Sequence, residues 1–193
     1  MPVTRESPMP RLSPRRPADL DGPERALYDA VTGGPRAQGP QLFPLVDADG
    51  GLRGPFEAML RSPAVGGPLQ ALGVALRYGS SLAPRVREMA VLAVAAAWDS
   101  AFEREAHEAV GRHVGLTEDE LAALRDGAVP ALADPVERAA LDLTRALLAG
   151  GRLADADYEA LAGVLGERQV FELSTLVGYY ATLALQMRLF ATC

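Results

Sequence analysis

Cysteine is nearly missing from this chain: of 193 residues, only Cys193, the last, carries a thiol. Neither a disulfide framework nor a thiolate metal site can be built within one chain, and a reducing, cytoplasmic setting fits. Histidine is almost as scarce, with His107 and His113 alone. A serine-hydrolase triad finds no support in so few histidines without a Gly-x-Ser-x-Gly elbow. Positive charge is in deficit, 19 basic against 25 acidic side chains for a net charge of -6. That balance speaks against phosphate backbones and anionic lipid, so neither nucleic acid nor a membrane surface is an expected partner. Long apolar runs are absent too. The longest, Met89 to Ala97, is far short of the roughly 20 residues that span a bilayer, and the start of the chain offers no apolar stretch for a signal peptide.

What is present is helix. Hydrophobic residues make up 49% of the chain, enough for a substantial core in one domain. Residues 1–22 are rich in proline and arginine and read as a tail or wrapping arm. Residues 23–193 read as a single all-helical domain, because no period-2 strand pattern occurs anywhere. A short helical stretch around Glu24 to Val31 leads into a glycine- and proline-rich segment, 33–54, with Leu42, Phe43, Leu45 and Val46 embedded in it. A loop of that length with apolar anchors is expected to pack over something. Its glycines precede no strand-to-helix unit, so nucleotide binding is not expected.

From Pro55 onward the chain reads as helices with short breaks. Pro55, Pro63 and Pro84 stand at first-turn positions. Ser100 with Glu103, Thr117 with Glu120, and Asp134 with Glu137 have the spacing of capping boxes. A helix near Asp155 to Leu165 and a last one from about Glu167 to Phe190 complete the bundle. The last helix, and the 89–97 stretch, are apolar on nearly every face, which predicts a homo-oligomer to cover them.

Chemistry concentrates on the helix beginning near Ser100. At about 100° per residue, Phe102, Ala106, Ala109, Val110, His113 and Val114 share an apolar arc, opposite Arg104, Glu105, Glu108 and Arg112. Glu103 falls inside that arc and His107 on its margin, four residues apart, so their side chains are neighbours. A carboxylate beside an imidazole in dry surroundings makes a usable acid or base near neutral pH. The bland alternatives are a capping role for Glu103 and a surface position for His107; His113 is read as structural. Glu88, on the apolar face of the preceding helix, either pairs with Arg85 one turn earlier or faces Glu103 and His107 across the tight turn at 98–100. Trp98, Phe102, Tyr179 and Tyr180 are candidates for the walls of an apolar pocket, with only one of the two adjacent tyrosines able to face it. Arg85 or Arg87 could hold a substrate carboxylate. Glu88, Glu103 and His107 are too few to call for a metal, so none is expected.

The segments Gly54-Pro-Phe-Glu-Ala-Met-Leu-Arg-Ser-Pro63, Arg87-Glu88-Met89, Trp98-Asp-Ser-Ala-Phe-Glu103-Arg-Glu-Ala-His107, Gly115-Leu-Thr-Glu118 and Gly178-Tyr-Tyr180 occur in order. As a set they resemble the carboxymuconolactone decarboxylase and alkylhydroperoxidase D family over roughly residues 40–190. The resemblance implies an AhpD-like helical bundle, a trimer or a multiple of one, and a site at Glu88, Ser100, Glu103 and His107. Relatives of the peroxidase type carry cysteines at the positions of Ser100 and Glu103. Without them, thiol chemistry is disfavoured, and Cys193 could supply it only if the terminus reached the site. The implied activity is then that of a cofactor-independent lyase or isomerase, transferring protons on a small carboxylic acid or lactone. A non-catalytic protein that binds a small ligand is the alternative.

Overall fold

The computed structural model describes residues 11–38 and 40–192. It is all-α. Helices α1 (Gly22–Thr32), α2 (Pro55–Met59), α3 (Pro63–Val74), α4 (Pro84–Ala97), α5 (Ala101–His113), α6 (Glu118–Arg125), α7 (Pro135–Leu148) and α8 (Asp155–Phe190) follow in order, with a π-turn at Ala75–Gly79. Among the described residues the one piece of β structure is an isolated bridge between Val46 and Leu52.

Helix α8 is two helices end to end. Gly166, at φ 75° and ψ 154°, breaks it in a left-handed conformation that a side chain would resist, at the junction the apolar pattern predicts. The second half packs Leu173 and Leu176, both 0% exposed, into the main core. Each fully buried leucine contributes about 1.5–3 kcal/mol of transfer free energy, so this half of the helix is firmly anchored.

Helix α4 is the axle. It packs against α5, α6, α7 and α8, and Val86, Glu88, Met89, Ala90, Val91, Leu92, Val94 and Ala95 are all buried. Most of its apolar side chains are therefore buried inside the chain, with Ala97 left exposed. The second half of α8 is different, because Leu185 and Leu189 remain more than half exposed.

Capping follows the sequence in part. Thr117 and Glu120 form the full reciprocal box, whereas Asp134 caps the Val136 amide and Glu137 turns to Arg85. Ser100 makes no side-chain cap at all, so the capping role weighed for Glu103 is not realised.

The arm at 11–21 lies along the body. Arg11 donates its backbone N–H to the carbonyl of Phe190, and Arg16 pairs with Asp47 and Asp49. Tyr28 adds a hydroxyl bond to the Gly50 carbonyl at 2.9 Å. These contacts fasten the far end of the 33–54 loop and leave its middle, with Phe43, over the bundle.

Candidate active site

The turn between α4 and α5 sets the geometry. Asp99 takes φ 49°, a left-handed conformation that aspartate tolerates better than most residues. The Ser100 amide then bonds back to the Ala95 carbonyl at 2.9 Å. This reversal lays α5 antiparallel on α4 and carries His107 to Glu88.

Glu88 is 0% exposed, and its Oε2 lies 2.6 Å from His107 Nδ1. Burial works against its ionisation, but His107, Arg77 and Arg87 outweigh it and hold the carboxyl below its ordinary range. An ionised Glu88 makes Nδ1 the protonated ring nitrogen and frees Nε2 for chemistry. Nε2 has no hydrogen-bond partner among the described residues. The arrangement corrects the sequence reading twice: Glu88, not Glu103, orients the imidazole, and His107 is buried rather than marginal. The local pair weighed between Arg85 and Glu88 does not form.

Glu103 lies beside this pair in another state. It is 2% exposed, and neither carboxyl oxygen has a hydrogen-bond partner of good geometry among the described residues. Burial pushes it up to about 8, with the Ser100 side chain opposing weakly. It is therefore a neutral acid at pH 7. Two carboxyls with opposite shifts next to one imidazole give the separation of proton-donating and proton-accepting states that acid–base chemistry uses.

Glu103 and His107 open onto a hollow of about 30 Å³, walled by Phe43, Phe56, Phe102, Tyr179 and Tyr180 among others. That space is enough for water and little more. Tyr180 stands edge-on to the imidazole, ring centres 5.1 Å apart, and Tyr179 stands edge-on to Tyr180. Both tyrosines therefore reach one hollow, contrary to the 100° argument, because their rings are large enough to meet around the helix. Burial pushes both hydroxyls up, so they stay protonated donors.

The other predicted residues divide. Phe102 lines the hollow, packed so close under Gly54 that a Cβ there would strike its ring. Ser100 is buried at the start of α5, outside the residues lining the hollow. Trp98 packs against the main core, and its carbonyl accepts from Arg188, so it is no wall. Arg85 is committed elsewhere: it pairs with Glu120 at 2.8 Å and Glu137 at 2.6 Å and donates to the Gly115 carbonyl. It cannot hold a substrate carboxylate beside His107. His113 is exposed rather than deep in the apolar stripe, because the buried face of α5 is centred on Glu103, Ala106, His107 and Val110.

Three residues of the site escaped the reading of the sequence. Phe43, foreseen only as a loop anchor, reaches over His107 with ring centres 6.4 Å apart. Arg36 and Arg77 line the hollow with it. No linear motif marks Arg36, which comes from the irregular segment. Arg77 sits on the π-turn, a helix irregularity that often accompanies function. Leu42, expected as an anchor, is exposed. Among the described residues no three His, Cys, Asp or Glu side chains gather as a metal-binding group, and no helix is long and apolar enough to cross a membrane. Cys193 lies outside the described residues.

An all-helical bundle with a buried Glu–His pair and a second buried acid beside it has an AhpD-like fold. Residues 63–146 match the model of the carboxymuconolactone decarboxylase family. The matched segment contains Glu88, Ser100, Glu103 and His107; Arg36, Phe43, Tyr179 and Tyr180 come from outside it. The fold is similar to the alkylhydroperoxidase AhpD core of an uncharacterised peroxidase-related protein from Ralstonia eutropha JMP134, at 18% identity and a TM-score of 0.75, covering 96% of this chain and 92% of that one. A second such protein, from Silicibacter sp. TM1040, matches at 15% identity and a TM-score of 0.70, over 100% and 95% of the two chains. A variant of the debrominase Bmp8 in complex with 2,3,4-tribromopyrrole matches at 13% identity and a TM-score of 0.67, over 97% and 93%. No curated protein matches the chain.

Proposed function

We propose that this protein is a cofactor-independent lyase or isomerase that moves protons on a small unsaturated or lactone carboxylic acid. The observation that carries the reading is the 2.6 Å contact of His107 Nδ1 with a fully buried Glu88, next to a Glu103 kept neutral by burial. Glu88 holds the Nδ1 proton and stabilises the imidazolium that forms, so Nε2 acts as the base on a carbon acid next to a carbonyl. Glu103 acts as the acid, returning a proton at a second carbon. Tyr179 or Tyr180 donates a hydrogen bond to the enolate oxygen, charge stabilisation that a dry site makes effective. Where the substrate loses a carboxylate as carbon dioxide, the same Glu103 protonates the carbanion left behind. Thiol-dependent peroxide reduction is disfavoured because Ser100 and Glu103 occupy the positions where such relatives carry cysteine.

The test is turnover of unsaturated lactone acids, followed by ultraviolet absorbance and by solvent deuterium incorporation. His107→Ala should lower kcat by about 10²- to 10⁴-fold, and Glu103→Gln by a comparable factor, with unchanged helical circular dichroism. Undiminished turnover in both variants would remove the assignment.

The narrower alternative of a non-catalytic binder draws on the smallness of the hollow. It predicts ligand binding with no deuterium incorporation in the wild-type protein.

A further inference from the structure

Charge around the hollow does not balance. Arg77 and Arg87 both lie in the field of Glu88, the ionised partner of His107, so two cations already face one anion. Arg36 is left over. Its Nε and Nη2 are buried without a hydrogen-bond partner of good geometry among the described residues, with the Tyr179 hydroxyl the polar group beside them, while its guanidinium stacks on Phe56 at 5.0 Å from the ring centre. Glu103 is neutral and supplies no counter-charge. Arg36 is half-buried, and donors held out of water without a well-made bond are costly, a cost that a bound anion would relieve.

The surroundings make room for that role. A Cβ on Gly73 would collide with both Arg36 Nη2 and the Tyr179 hydroxyl, so glycine is what lets these two groups come together on α3. A second cavity of about 240 Å³ lies outside the hollow and shares Arg36, Phe43 and Arg77 with it. Arg36, Phe43 and Arg77 therefore stand at the boundary between a chamber with room for water and one with room for a small organic molecule.

We propose that Arg36 and Arg77 form an anion-binding pair that seats the carboxylate of a small monoanionic substrate while Phe43 swings aside to admit its ring. The inference rests on the proton-transfer reading for what happens next, but the binding step stands without it. A planar guanidinium makes two parallel bonds to a carboxylate, which orients the attached ring towards His107 and Glu103. The excess of positive charge selects an anion over a neutral analogue of the same shape.

The test is calorimetric titration with 2-furoate and with its neutral isostere 2-furamide. Hydrogen bonds to a charged group are worth enough for about a tenfold change in affinity. Furoate should bind at least about tenfold more tightly than furamide. Arg36→Gln should remove that preference and leave furamide binding unchanged, and Arg36→Lys, which keeps the charge in case the glutamine variant fails to fold, should retain part of it. His107→Ala should still bind furoate. Equal affinity for the two compounds, no binding of furoate, or full preference in Arg36→Gln would overturn the pair, as would furoate binding lost in His107→Ala but kept in Arg36→Gln. Unchanged turnover in His107→Ala with furoate selectivity intact would instead sink the proton-transfer reading and leave the pair standing.

Discussion

Arg85 and Glu88 lie one helical turn apart on α4 and end in charged clusters of opposite character. Around Arg85 every group is answered: two glutamates from α6 and α7 and the Gly115 carbonyl take its donors. Around Glu88 the account stays open. The carboxylate is matched by His107, yet Glu103 has two buried oxygens with no partner and Arg36 two buried nitrogens with none. A cluster that satisfies itself holds helices together; one that leaves buried polar atoms unanswered is kept for something the chain does not contain. The sequence alone pointed to the Glu88 cluster as the site of chemistry but gave Arg85, too, a part in substrate binding.

The largest effect should come from breaking the matched half of the open cluster. Glu88→Ala leaves an imidazole buried without its partner, and loss of one member of a buried pair costs about 3–5 kcal/mol. Urea denaturation should read that loss, together with abolished turnover. Because the Glu88 shift is downward, its share of stability is present at neutral pH and disappears on acidification.

Glu103 should do the reverse. Its carboxyl titrates at about 8 in the folded chain against an ordinary 4.5, so folding favours the protonated form. That preference is fully present below pH 4.5 and drains away as pH rises towards 8, a total on the order of a few kcal/mol. Glu103→Gln lacks the slope. Its stability relative to wild type should therefore climb across that window while turnover falls, the signature of a group kept for function at a cost in stability. A flat difference between the two proteins from pH 5 to 8 would mean that Glu103 is solvated and the clusters are less unlike than they look.

How far the sequence announced this site depends on which residue is asked about. His107 and Glu103 were visible because they share a helix, and i,i+4 spacing needs no tertiary knowledge. Glu88 could be placed near them because the turn at 98–100 is too short to allow anything but an antiparallel pair. Which acid would hold the histidine was not legible: helical spacing favoured Glu103, and the packing of α4 against α5 chose Glu88. The kink at Gly166 and the proline starts of α2, α3 and α4 were readable for the same local reason. Arg36 was not, since an irregular segment carries no period from which its direction could be read. Nor could the commitment of Arg85 be foreseen, because its partners Glu120 and Glu137 lie 35 and 52 residues away.

The smallest effect belongs to that satisfied cluster. Arg85→Met keeps the aliphatic stem against its neighbours and removes the guanidinium. The side chain is 28% exposed and its two glutamates 14% and 13%, so solvent screens part of the attraction. Glu120 also keeps its other work, accepting from the Thr117 amide at 2.8 Å as the return half of the α6 capping box. The loss should therefore be about 1 kcal/mol, measured by urea denaturation, and it should shrink in high salt. Turnover should stay at the wild-type level, since nothing on Arg85 reaches the hollow. A large fall in turnover at unchanged stability would mean that the self-satisfied cluster also serves the site, and the contrast between the two ends of this helical turn would fail.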